Sequence, residues 1–350
     1  MNSIPVYCFD WHINQSSAQD EILIKPLSPY IKFDVTSWDG VHLEVSKKAI
    51  QDTPLVFFLF PPPPNLLADP NAKLVWIPMW DVTKKYRDKW WRKLPKSLRV
   101  VSLSEEISQR TLAAELPTLT LKYYKDPNEM KPASWEGPNS LFYWNRTGLV
   151  GREFLEKICC TLEIDILYFR RRIDPGWPSW CDYDLPEMLG KTEVKQLDLG
   201  GISGFEQYME NLNKSNIFLA PRQSEGVGLS FLEAMAKGCA VFAYNAPTMN
   251  EYIEHNKDGY LLASDPFSEF LSHREKLVQQ VYRFLFASRS AGRGVLHPLF
   301  RHPITARQNW GEIAKLDLQV IGENARSKQL NGFKVWQDSL ERFASFITNW

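Results

Sequence analysis

Short apolar runs separated by stretches of helical periodicity make up most of the chain. In the first third, Ile4 to Asp10 (IPVYCFD), Pro54 to Phe60 (PLVFFLF), Lys73 to Trp80 (KLVWIPMW) and Leu98 to Ser104 (LRVVSLS) read as strands, the second stopped by Pro61 to Pro64. EEISQRTLAAEL then carries apolar residues at helical spacing, with Ser104 at the N-cap position. Apolar strands alternating with helices predict a parallel sheet covered on both faces. The run Lys125 to Pro138 (KDPNEMKPASWEGP) is rich in Pro, Gly and polar residues and predicts an interdomain linker.

Beyond it the alternation is cleaner. LFYWN, IDILYFR, VKQLDL, NIFLA, AVFAY and GYLLA read as strands, and VGREFLEKICCTL, GFEQYMENLNK and GLSFLEAMAKG as helices, the last ended by Gly238. This is the doubly wound pattern, which places ligands at the carboxyl ends of the strands. Two domains follow, residues 1–132 and 139–330, in keeping with 350 residues at roughly 100–200 per domain. Two further helical stretches are expected, Trp310 to Gln329 and Gly332 to Trp350. In the second, Phe333, Trp336, Leu340, Phe343, Phe346 and Ile347 recur at three- and four-residue steps as one apolar stripe that must dock on something.

Composition narrows the function classes. Lys+Arg and Asp+Glu are 41 each, so the basic excess typical of nucleic-acid binding is missing. The segment MNSIPVYCFDWHINQ lacks a basic region followed by an apolar one, so no secretory signal is expected. Five cysteines without repeated ligand spacing suit a reduced, cytoplasmic chain. The 13 Trp, 13 Tyr and 20 Phe are mostly core material, but Trp and Tyr also suit surfaces that stack against sugar rings.

The candidate chemistry lies in Ser215 to Leu262. A buried strand feeds the loop APRQSEGVG, whose glycines let backbone amides approach a ligand. A helix begins near Gly228, and its free N–H groups and positive dipole end suit a diphosphate. Glu225 in the loop and Glu233 in the helix are separated by seven residues and bracket that place. Spacing alone carries little, because such pairs arise by chance; the flanks supply the specificity.

With EGVG, LEAMAKG, AVFAY, NEYIEHNKDG and YLL in this order, the segment resembles the E-x7-E signature of retaining glycosyltransferases of family 4. That resemblance implies the GT-B fold, α/β, with two Rossmann-like domains whose parallel sheets face a central cleft. It implies that Glu225 meets the transferred sugar and Glu233 the nucleotide ribose, with Gly226, Val227 and Gly228 forming the loop between them. Family members open the donor domain with a strand ending in Gly-Arg and a later Lys, both reaching the diphosphate. Here Asn145-Arg146 ends the strand, and Arg152 stands where the Lys is expected, with Lys157 as the fallback. An Arg can grip phosphate oxygens bidentately. LDLGGISGFEQYMENL resembles the turn whose backbone reads the base, making Gly200, Gly201 and Ile202 donor-site candidates; it lacks dinucleotide-fingerprint spacing.

The resemblance covers Leu141 to Leu262 well and the N-terminal domain only in outline. The family's Gly-rich first loop is replaced by DWHINQSSAQ, and its His-Asp pair by Trp80-Asp81. Asp81 is the candidate for the polar role there, and His12 for the absent His, both on the acceptor side. Asp182-Tyr183-Asp184 is a D-x-D of the kind chance produces, and the six histidines show no ligand spacing, so no metal and no cofactor is expected. Lys84 to Arg99 (KKYRDKWWRKLPKSLR) interleaves cations with aromatics, which suits a solvated helix face, an anionic membrane surface at the inner face of the membrane, or a phosphate-bearing acceptor.

The expected activity is a metal-independent, hexosyltransferase-like transfer, with retention, from a nucleotide diphosphate sugar to an acceptor hydroxyl of a surface glycan or glycolipid. The alternative is a non-catalytic nucleotide-sugar or glycan-binding protein on the same scaffold. The GT-B resemblance also implies that the helix 332–350 crosses back onto the first domain.

Overall fold

The computed structural model describes residues 3–8, 18–38, 43, 52–147, 150–171, 183–197, 204–263 and 308–350. The chain divides into two compact units, one of Met1–Lys125, Ser224–Leu229 and Leu330–Trp350, the other of Asp126–Gln223 and Ser230–Gln329.

The first unit is built on six parallel strands: β1 (Ile4–Cys8), β2 (Phe33–Ser37), β3 (Leu55–Leu59), β4 (Leu74–Pro78), β5 (Arg99–Ser102) and β6 (Thr118–Thr120), in the order β2-β1-β3-β4-β5-β6. The central strands LVFFL and LVWIP are buried at every position, as strands covered on both faces must be. The edge strands β2 and β6 escape the sequence reading because FDVTS and TLT are short and partly polar. Ser104 does stand at the N-cap of α1 (Glu105–Ala113), in extended conformation, although its side chain makes no capping hydrogen bond.

The basic, aromatic segment forms two short helices, Trp80–Thr83 and Asp88–Trp91. Its aromatics turn inward: Trp91 is buried and stacks on Trp76 at 5.3 Å, while Trp90 stacks on Tyr86 at 4.0 Å against the same core. Lys85, Arg87, Lys89, Arg92, Lys93 and Lys96 are exposed. The two ends of the stripe are structural: Lys84 Nζ donates to Ser224 Oγ at 2.9 Å, and Arg99 Nη1 donates to the Phe346 carbonyl at 2.8 Å.

The second unit carries β7 (Ser140–Asn145), β8 (Ile166–Arg171), β9 (Met188–Leu189), β10 (Thr192–Leu197), β11 (Ile217–Leu219), β12 (Ala240–Tyr244) and β13 (Tyr260–Leu262). Their order is β13-β12-β11-β7-β8-β10-β9, all parallel except the short edge strand β9. Without β9 this is the Rossmann order, reversing between β7 and β11. Among the described residues, α2 (Arg152–Thr161), α3 (Gly204–Lys214), α4 (Leu229–Lys237) and a short helix at Met249–Tyr252 lie between the strands. Gly238 ends α4 at φ +90°, where a side chain would be strained.

The run after Lys125 is no free tether. Arg326 Nη2 donates to the Pro127 carbonyl at 2.8 Å, Ala133 N to the Lys237 carbonyl at 2.9 Å, and Asn216 Nδ2 to the Ser134 carbonyl at 3.1 Å.

The tail differs from expectation. In place of two helices divided near Asn331, a short turn at Trp310–Ile313 precedes one continuous helix, α5 (Leu318–Thr348). Glycine inside a helix costs only about 1 kcal/mol, and Gly332 is needed because a Cβ there would lie 2.3 Å from the Tyr124 ring. On the expected stripe Trp336, Phe343 and Ile347 are buried, Trp336 meeting Tyr123 edge-on at 5.4 Å. No helix among the described residues is long and apolar enough to cross a membrane.

Candidate active site

In an open parallel sheet the crevice for a ligand lies outside the carboxyl ends of the strands, where the order reverses. In the second unit that place is the end of β7, at Asn145-Arg146, beside the end of β11, at Ala220-Pro221. Thr147 Oγ1 donates to the Pro221 carbonyl at 3.3 Å, tying the two strand exits together.

Glu233 comes from α4, a helix buried from Ser230 to Lys237. The residue is 8% exposed, and its carboxylate accepts a hydrogen bond at 2.6 Å from the Tyr208 hydroxyl of α3. Burial, and then the negative charge of Glu233, push the Tyr208 hydroxyl well above its ordinary pKa, so it remains a donor. Around this pair stand the aromatic and cationic residues of β7 and β8. Arg170 is 3% exposed, with its guanidinium carbon 4.0 Å from the centre of the Trp144 ring and 5.5 Å from that of Tyr208. Arg146 lies 4.8 Å from the Trp144 ring. Two guanidinium groups thus share one indole, a geometry in which desolvated cation–π attraction reaches about 2 kcal/mol.

The loop before α4 belongs to the first unit from Ser224 onward. Glu225 and Val227 are buried. Gly226 has no room for a side chain, because a Cβ would lie 2.8 Å from Asp81 Oδ1 and 3.0 Å from Met79 Cβ. Gly228 takes φ +77°, which lets the loop turn into α4. The structure therefore brings Asp81 against the Glu225-Gly226 turn. Just upstream, Gln223 is buried, and neither end of its amide has a hydrogen-bond partner among the described residues.

Arg152 is exposed as the first residue of α2, not a turn inside it, and Lys157 lies over the Trp310 ring at 5.7 Å. An arginine at a helix N-terminus gains nothing from the helix dipole; it adds positive potential there. Asp184 is engaged by Arg171 and by Gln196 Nε2 at 2.8 Å, which makes it a tie between β8 and β10. His12, Asp182, Gly200, Gly201 and Ile202 lie outside the described residues. Among the described residues no group of three or more His, Cys, Asp and Glu could hold a metal ion.

The sequence reading missed Tyr208, Arg170 and Trp144. Arg170 and Trp144 do carry a signal, since both stand near the carboxyl ends of buried strands. Tyr208 carries none, because only the folded chain brings its hydroxyl within hydrogen-bond distance of Glu233.

Residues 191–278 match the family model described as Glycosyl transferases group 1. An uncharacterized glycosyltransferase of Haemophilus influenzae is 31% identical over 72 residues, 20% of this chain and 20% of that protein. The match thus spans about a fifth of that curated relative's length. Among solved structures, HepE of Anabaena in complex with UDP and glucose superposes with a TM-score of 0.55 at 13% identity, covering 99% of this chain and 100% of that one. A glycosyltransferase from Rickettsia africae gives 0.53 at 13% identity, with 99% of each chain covered. The chain has the GT-B glycosyltransferase fold, two Rossmann-like units with parallel sheets.

Proposed function

We propose that this chain is a retaining glycosyltransferase that moves a sugar from a nucleoside diphosphate to an acceptor hydroxyl of a surface glycan or glycolipid. The observation that carries the proposal is the buried carboxylate of Glu233, hydrogen-bonded to Tyr208 beside the switch point of the second sheet. A carboxylate there is suited to ribose hydroxyls, and the presence of UDP and glucose in the HepE complex supports a nucleotide-sugar donor. Arg146 and the N-terminus of α4 supply positive charge for the diphosphate, with Arg152 as a second cation. Glu225 and Asp81, brought together at Gly226, are the polar groups for the transferred sugar and the acceptor. The exposed cations between Lys85 and Lys96 would meet a phosphate-bearing or membrane-bound acceptor through charge alone.

In the reaction the bond from C1 to the diphosphate oxygen breaks and its electron pair leaves with that oxygen. The acceptor oxygen bonds to C1 on the same face, and its proton passes to the departing phosphate. The demanding event is the charge developing on the diphosphate, where each well-placed donor stabilises by roughly 3 kcal/mol. With guanidinium and helix-end charge available, transfer is expected to persist in excess EDTA; a loss restored by manganese would move the protein to a metal-dependent class.

Calorimetry with nucleoside diphosphates tests the roles. Glu233→Ala should weaken binding even of the diphosphate that lacks sugar, whereas Glu225→Ala should spare that binding and abolish transfer. Equal losses of nucleotide affinity would overturn the assignment. Donor binding without turnover would make the chain a binding protein instead.

A further inference from the structure

The short bond between Tyr208 and Glu233 has no part in the roles assigned so far. A buried carboxylate on a helix has several rotamers available, and recognition of a diol requires one of them to be held. The Tyr208 hydroxyl donates to Oε2 of Glu233 at 2.6 Å, a length typical of a charge-assisted bond. The tyrosine ring is itself fixed by its neighbours. Phe142 meets it edge-on at 5.6 Å, Trp144 lies tilted at 5.8 Å, and the Arg170 guanidinium sits 5.5 Å from the ring centre. Tyr208 is 3% exposed, so water cannot readily replace its hydroxyl at the carboxylate. All five residues belong to the second unit.

We infer that Tyr208 is a positioning residue that orients the Glu233 carboxylate toward the ribose hydroxyls of the donor nucleotide, and so sets the protein's preference for ribose over deoxyribose. The inference rests on the reading of Glu233 as the ribose contact. It assigns a function to a side chain that forms no bond with substrate.

The test is calorimetric titration of the full chain with UDP, GDP and ADP and with their 2′,3′-dideoxy counterparts. Wild type, Tyr208→Phe, Glu233→Gln and the double variant are compared, with thermal unfolding as the folding control. Tyr208→Phe keeps the ring and removes only the donor. It should weaken the best-bound ribonucleotide about tenfold, the usual effect of a hydrogen bond to a charged group. Its affinity for the dideoxy form should equal that of wild type, and the double variant should bind no worse than Glu233→Gln alone. Tyr208→Phe matching wild type on the ribonucleotide, or losing equally on both forms, would overturn the inference while leaving the role of Glu233 intact. Wild type that binds none of the three nucleotides, or binds both forms equally, would overturn the reading of Glu233, and the inference with it.

Discussion

The two units treat their charged and aromatic residues in opposite ways. The first buries Trp76, Trp91 and Phe57 in its core and leaves the cations from Lys85 to Lys96 exposed. The second buries Arg170, Glu233 and Lys237 beside its strands and threads aromatics between them. Removing a charge from water costs several kcal/mol per ion, and pairing repays that only in good geometry. A stable fold is therefore better served by the first arrangement. The second is what remains when charge must stay in one place for a ligand, which is why the chemistry is legible in the second unit and sparse in the first. Asp81 and the buried Glu225 are the exceptions, and Asp81 lies against the loop that carries Glu225, which the first unit takes from the other half of the sequence.

The sharpest way to break this comparison is to remove residues 331–350. Trp336, Phe343 and Ile347 are buried within the first unit, and at about 1.5–3 kcal/mol each their loss approaches the ~5–15 kcal/mol that holds a domain together. The first unit's calorimetric transition should vanish while the second unit's persists. Two unchanged transitions would show that the helix is dispensable.

Smaller changes on the same helix separate the units further. Gly332→Ala forces a Cβ into the Tyr124 ring of the first unit. Gly322→Ala places one 2.3 Å from the Gly238 carbonyl and 2.9 Å from Trp135 Cζ2 in the second. Each should destabilise its own unit by about 1–3 kcal/mol, although alanine ordinarily favours a helix interior by ~1 kcal/mol. Urea unfolding followed separately for each unit would show it, and stabilisation by either alanine would refute the packing argument.

The weakest expected effect is on alkaline stability. Burial pushes the Cys239 thiol up to about 11 and the Cys159 thiol to about 12, and raises the Tyr208 and Tyr244 hydroxyls well above their ordinary value. The unfolded chain releases these protons near pH 8.5 for Cys and 10 for Tyr, whereas the folded second unit retains them. The stability they contribute is full below those values and is lost as pH rises toward the raised ones. In the first unit Tyr7 and Tyr86 are raised as well, by partial burial. Between about pH 8.5 and 11 the melting temperature of the second unit should fall more steeply; a steeper fall in the first would contradict the contrast in burial.

What could be read from the residues follows from how local each signal is. The helix GFEQYMENLNK and the strand AVFAY lie where periodicity places them, because each carries its own pattern. The strands FDVTS and TLT were not legible, since an edge strand needs little apolar surface. The inward turn of Trp90 and Trp91 was equally hidden: composition cannot say which way an indole faces. The loop and helix of Glu225 and Glu233 were visible through their flanks. The partnership with Tyr208, 25 residues away, and the approach of Asp81 to Gly226 exist only once the chain has folded.

The first unit's assembly from three separate stretches of chain has a consequence during synthesis. Its sheet is complete when Thr120 leaves the ribosome, yet Leu330–Trp350 follow some 200 residues later. At ~5–20 residues per second that delay is roughly 10–40 s. For that time the nascent sheet must wait with the seat of Trp336 beside Tyr123 uncovered, a sticky surface that a chaperone would have to guard. Cells that slow elongation across the stretch between Thr120 and Leu330 should therefore recover less folded protein, even though the finished molecule is the same.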